Sequence, residues 1–220
     1  MDVSIQTGHT KATTGVSLVA LSFESELGEH ACLLLQIEAS PKDAKTLEEE
    51  CTIIVKQALL DSHGDAWSRL DGTLKELNGL FKGLLVAESV DNVHAILSIT
   101  DASGALHVSH AGRAEAYLIR GGSASQITEF SRGKPSPSFI HISSGQLEPR
   151  DAVLFSTQRI LRTVTPAQLA QLAQRGDQLL DEVMIKLEAE HETASLGTLH
   201  VPARRDRAAE VAAAVERPAV

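Results

Sequence analysis

Residues 106–120 read LHVSHAGRAEAYLIR. Apolar and polar residues alternate on both sides of a glycine, the pattern of two short strands joined by a tight turn. Strands are expected at residues 106–109 and 115–120, and the turn at Ala111-Gly112 is expected to close them into a hairpin corner. The residue after the glycine is Arg113, a permanent positive charge beside the turn.

Just before this stretch, residues 93–99 read as a strand and Asp101 to Gly104 as a hairpin turn. Downstream, Gly121-Gly122-Ser123 turns into a strand at 125–127, and a loop with Gly133, Pro135 and Pro137 covers residues 131–138. Strands follow at 139–143 and 152–156, with a turn at 145–149 between them. Upstream, the first strands fall within residues 3–23 and 30–38, where VSLVALSF (16–23) and ACLLLQI (31–37) are rich in apolar residues. Residues 45–62 carry Leu47, Cys51, Ile54, Val55 and Ala58 at helical spacing, and residues 66–85 carry Leu70, Leu74, Leu77, Phe81 and Leu84 in the same way. Thr165 caps a helix opened by Pro166 and reaching residue 173, a longer helix spans 177–190, and a last strand covers 195–201. Runs of strands separated by pairs of helices indicate α+β layers, not a doubly wound parallel sheet.

Several segments, in order, resemble the metal-dependent type 2C (PPM-type) protein phosphatases. Residues 106–120 resemble that family's "GDSRAYL.R" corner, and LKELNGL (74–80) its "l..aN..l" helix. Gln126-Ile127-Thr128 is similar to its "l..lT" strand, SGQLEPRDAVLFS (144–156) to "l..GD.lLL.SDG", and RILRTVTPAQLAQLA (159–173) to the helix entry that follows. The resemblance implies a four-layer α-β-β-α sandwich of two antiparallel sheets over residues 1–201, with residues 202–220 an Ala/Arg/Glu-rich tail or linker.

The family's chemistry needs two divalent cations held by aspartates, which activate a water for attack on phosphorus. Position by position, this chain departs from that set. The first acidic motif falls at residues 9–15, HTKATTG, and no Asp or Glu occurs between Val3 and Phe23. The second falls at Glu38-Ala39-Ser40, the "GD" at Gly112-Arg113, the "SDG" at Ser156-Thr157-Gln158, and the terminal "DN.T" at Ser195 to Thr198. One glutamate and one arginine sum to no net charge, so no cofactor is expected and no residue is assigned as catalytic or as a metal ligand. Glu38, Gly112, Arg113, Ser156, Thr157 and Ser195 are the candidate cleft residues, and Arg113 is expected to fill the cation's space and pair with Glu38.

Bulk properties agree with a packed globular domain. The chain has 220 residues, 43% hydrophobic content and a net charge of -9, which excludes a general nucleic-acid or anionic-membrane binder. No apolar run is long enough to span a bilayer, and no N-terminal signal is visible. Two cysteines in apolar contexts fit reduced thiols and a cytoplasmic location. His107 and His110 point to opposite faces of a strand, so they share no metal, and the adjacent Asp61-Ser62-His63 cannot converge as a triad. The expected function is a catalytically degenerate phosphatase-like domain, a scaffold or regulatory module with a protein partner, a phosphoprotein being the candidate. The alternative is a divergent metal-dependent phosphoserine/phosphothreonine phosphatase with displaced ligands, using magnesium or manganese. A third reading is the soluble part of a longer membrane protein.

Overall fold

The apolar run at residues 30–39 is buried on both faces because different layers cover each face. The computed structural model describes residues 1–60, 64–129 and 136–203. The Asp61-Ser62-His63 run, most of the Pro-rich loop and the tail from residue 204 lie outside the described residues. The elements run β1 (Ser4–His9), β2 (Val16–Glu24), β3 (His30–Ala39), α1 (Pro41–Leu60), α2 (Ala66–Val86), β4 (Val90–Thr100), β5 (Ala105–Ala111), β6 (Glu115–Arg120), β7 (Ser123–Gln126), β8 (Ile142–Gln146), β9 (Ala152–Ser156), α3 (Pro166–Ala173), α4 (Leu179–Ala189) and β10 (Ser195–His200). Short 3₁₀ turns at Ile160–Arg162 and Gly176–Gln178 precede the last two helices.

The strands form two five-stranded sheets, ordered β1-β10-β9-β6-β7 and β2-β3-β4-β5-β8, with every pairing antiparallel. Alternation along β3 sorts its side chains. Ala31, Leu33, Leu35 and Ile37 meet Leu47, Leu70, Leu77 and Phe81 of α1 and α2. Cys32 and Leu34 turn the other way, onto Val153, Phe155 and Leu199 of the first sheet. That sheet's outer face places Tyr117, Leu154 and Leu196 against Leu169, Leu179 and Val183 of α3 and α4. The result is the four-layer α-β-β-α sandwich that the sequence implied. β7 (SASQ) and β8 (ISSGQ) close one edge of each sheet with short, polar strands, which discourages edge-to-edge pairing.

The helix starts follow their local signals. Asp65 accepts a hydrogen bond from the Ser68 N–H at 2.8 Å ahead of α2, and Thr165 and Gln168 form a capping box at α3, with Pro166 in its first turn. Both cysteines are free and buried in different layers. Burial pushes both thiols up to about 12. Among the described residues no helix is long and apolar enough to cross a membrane.

Two expectations are corrected. The corner at Gly112 does not close a hairpin: β5 belongs to one sheet and β6 to the other, and the chain crosses between them at this glycine. The hydrogen bonds a hairpin would use are taken elsewhere, by β4 and β8 for β5 and by β7 and β9 for β6. The strand expected at residues 139–143 starts later, at Ile142, because the Asn78 side chain holds the Phe139 backbone. Asn78 Nδ2 donates to the Phe139 carbonyl at 2.8 Å and Oδ1 accepts the Phe139 N–H at 2.8 Å. The Phe139 ring then packs on Phe81, with centroids 5.8 Å apart.

Asp151 ties together the turn before β9. It is 2% exposed and takes a fork from Arg120, Nε at 2.9 Å and Nη2 at 2.6 Å. It also accepts the Glu148 N–H at 2.7 Å. Its role is in the turn.

Candidate functional site

Two of the buried polar residues of the second sheet sit side by side near its cleft end. Gln36 on β3 and His94 on β4 are cross-strand partners, 4% and 2% exposed. Alternation turns both toward the facing sheet, since Leu34 and Ile96, two residues away from Gln36 and His94 respectively, pack between the sheets. At the same end of the sandwich, Thr157 follows β9 and Ser195 opens β10. The Thr157 hydroxyl donates to Gln36 Oε1 at 3.0 Å and accepts the Ser195 N–H at 2.9 Å. The Thr157 N–H donates to the Ser195 carbonyl at 3.0 Å, and the Ser195 hydroxyl donates to the Leu35 carbonyl at 2.8 Å. Neutral groups therefore bolt the two sheets together at this end, and each hydroxyl donor is already used.

The other candidates sit around this strut. Gly112 has φ +73 and its N–H donates to the Ser136 carbonyl at 2.6 Å. The Arg113 N–H donates to His94 Nδ1 at 3.2 Å, which joins the crossing corner to the β3–β4 pair. Arg113 itself is exposed, and among the described residues it makes no ion pair with Glu38. The expectation that Arg113 fills the cation's space and pairs with Glu38 is thus corrected: the backbone is held at the corner while the guanidinium reaches solvent. Glu38 continues the cleft face of β3 two residues beyond Gln36, opposite Asn92, and is partly exposed. Ser156 pairs with Leu196 and faces the helix layer, where its hydroxyl accepts the Gln158 N–H at 3.1 Å, so it does not line the cleft. Glu115, a further carboxylate at this end, also faces the helix layer and takes the Tyr117 hydroxyl, and burial raises its pKa.

His94 carries an electrostatic signature. Burial, then the Arg113 charge, pushes its pKa down to about 4. The folded protein keeps this ring neutral, and its Nδ1 accepts from Arg113. Between an unfolded value near 6.5 and the folded value of about 4, the unfolded chain binds a proton that the folded chain refuses. Stability is therefore unaffected by this group above about pH 6.5 and falls by about 1.4 kcal/mol per pH unit below it. Urea melts at pH 7 and pH 5 should show a larger acid loss for the native chain than for His94→Gln. Equal losses would mean that His94 is not held neutral.

The fold implies a pair of divalent cations, and the residues present do not fit them. Such ions want several oxygen ligands with anionic character. Here Glu38 is the single carboxylate among the candidate positions, and the hydroxyls and amide beside it are consumed by one another. Among the described residues no group of three or more His, Cys, Asp or Glu side chains could hold a metal ion. Reasoning from the sequence alone missed Gln36 and His94. Their signal was present as single polar residues within ACLLLQI and VHAIL.

No family model matches the chain, and no curated protein matches it in sequence. Solved structures do match. The serine/threonine phosphatase of S. agalactiae superposes with a TM-score of 0.72 at 10% identity, over 91% of this chain and 99% of that one. The Mycobacterium tuberculosis serine/threonine phosphatase PstP/Ppp gives 0.63 at 11% identity, over 91% and 98%. The phosphatase domain of the cell fate determinant SpoIIE from Bacillus subtilis gives 0.57 at 14% identity, over 94% and 95%. At these identities the likeness establishes the fold: the chain has the architecture of the type 2C, or PPM-type, phosphatases.

Proposed function

We propose that this domain is a catalytically degenerate type 2C phosphatase-like module that acts by binding a protein partner, in a scaffold or regulatory role, without a resident divalent cation. The observation that carries the reading is the Gln36–Thr157–Ser195 strut, in which neutral groups satisfy each other where the fold's chemistry needs clustered carboxylates. PstP, by contrast, has been solved with two manganese ions. A phosphoprotein is the candidate partner, because Arg113 presents an exposed cation at the cleft on a backbone fixed by His94. Two buried thiols and no disulfide favour a reducing, cytoplasmic setting.

One observation favours a second reading, an active phosphatase with displaced ligands: Glu38 is still on the cleft face of β3. A manganese-dependent assay with a generic aryl phosphate separates the two. The expected rate equals the buffer background, with and without manganese. Hydrolysis that requires manganese and disappears in Glu38→Ala would reverse the order of the readings.

A further inference from the structure

We infer that a second hollow, at the opposite end of the first sheet from the cleft, binds a small amphipathic organic anion, with Arg150 as its anion contact. The cleft lies at the end where β10 begins and β9 finishes. The hollow lies where β1 begins, β10 finishes and β9 starts, beneath α3. Its volume is about 680 Å³, within the range of roughly 300–1,000 Å³ typical of small-molecule sites. The inference does not depend on whether the cleft is catalytic.

Small side chains create the space. Ala170 and Ala173 form the α3 wall, and Gly121, Gly122 and Gly176 form the turns around it. A Cβ added to any of those three glycines would meet nothing within 4 Å, so the backbone is not packed closed there. Ile119 supplies an apolar floor. The apolar part of the lining suits the ring or short chain of an organic molecule, and Ser4, Gln174 and His200 add polar groups beside it.

Arg150 supplies the anion contact. It sits at φ +72, a left-handed conformation that suits glycine or asparagine and is costly for a long side chain. The strain is held by neighbours: its N–H donates to the Val201 carbonyl at 2.9 Å, and the Asp151 carbonyl accepts the Val201 N–H at 2.9 Å. The side chain is exposed at the rim and has no ion pair among the described residues. Asp151 also lines the hollow, but Arg120 neutralises its carboxylate. Asp2 is the remaining acidic group there, and it is exposed to solvent. The Glu148–Asp151 turn, closed by the Asp151 N–H on the Glu148 carbonyl at 3.1 Å, sets this backbone, and the exposed guanidinium supplies a charge for an anion at the mouth of the hollow.

The test uses the full chain and 1-anilinonaphthalene-8-sulfonate, an anionic aromatic probe, followed by fluorescence at fixed protein concentration. Saturable one-to-one binding is expected, weakened at least tenfold in Arg150→Gly and at least tenfold in Ala173→Phe, which fills the hollow. Arg150→Gly removes the guanidinium while relieving the backbone, so it should fold at least as well as the native chain. Lys45→Ala, an exposed position on α1 over the other sheet, should leave the affinity unchanged. Competition by decanoate would assign a carboxylate ligand and competition by phenyl phosphate a phosphate ester; either supports the site. No saturable binding, or binding unmoved by both Arg150→Gly and Ala173→Phe, would overturn it.

Discussion

Replacing Gly112 with alanine is expected to cost about 3 kcal/mol, a large loss for the addition of one methyl group. The added Cβ would lie 2.1 Å from His94 Nδ1 and 2.9 Å from the Val93 carbonyl oxygen, closer than any real contact. The backbone at φ +73 is also strained for an L side chain, by roughly 1–2 kcal/mol. Neither neighbour can retreat easily. His94 is buried between the sheets and Val93 belongs to the central ladder. For a domain of this size the loss corresponds to a Tm drop of roughly 10 °C. A thermal melt measures it, and the double variant Gly112→Ala with His94→Ala should recover part of the loss, leaving the Val93 contact. A drop of under about 2 °C would mean that the chain does not cross between the sheets in this way.

Asp151→Ala is the second large expectation, at about 2–3 kcal/mol by urea denaturation. The substitution strips the Arg120 guanidinium of its fork and leaves the Glu148 N–H without its acceptor. Arg120 keeps contacts to Glu148 at 2.8 Å and to the Gln146 carbonyl at 2.9 Å, and its side chain is 38% exposed. Water therefore softens the penalty below that of a fully buried broken pair. Asp151→Asn, which keeps an oxygen for the Glu148 N–H but loses the charge, should fall between the native chain and Asp151→Ala. If alanine and asparagine cost the same, the hydrogen bond to the turn carries nothing.

Much of the fold was legible because it is written locally. The continuous apolar run of β3, the Thr165-Pro166 entry to α3 and the Asp101 to Gly104 turn all carry their meaning within a few residues. Gly112 shows where that stops. Two strands flanking a glycine look alike whether they pair with each other or enter different sheets, and only pairings with β4, β8 and β9 decide. The start of β8 was set by Asn78, 61 residues away in sequence from Phe139. The candidate site was half legible. Thr157 and Ser195 were placed by resemblance, and the structure joins them directly. Gln36 and His94 stood out as polar residues in apolar runs, but their meaning needed the register that sets them side by side. The Arg150 hollow left no trace in sequence, because alanines and glycines enclose a space only once their elements are assembled.

The proposed binding role requires that the cleft, closed by neutral hydrogen bonds, take up no cations. A manganese titration by calorimetry, paired with melts in millimolar manganese and in chelator, measures this uptake. A site with a micromolar Kd would add about 4 kcal/mol of stability at millimolar metal, a Tm rise of roughly 13 °C. No saturable heat and the same Tm in metal and chelator are expected. Saturable micromolar binding, or a metal-dependent rise of that size, would contradict the proposed role.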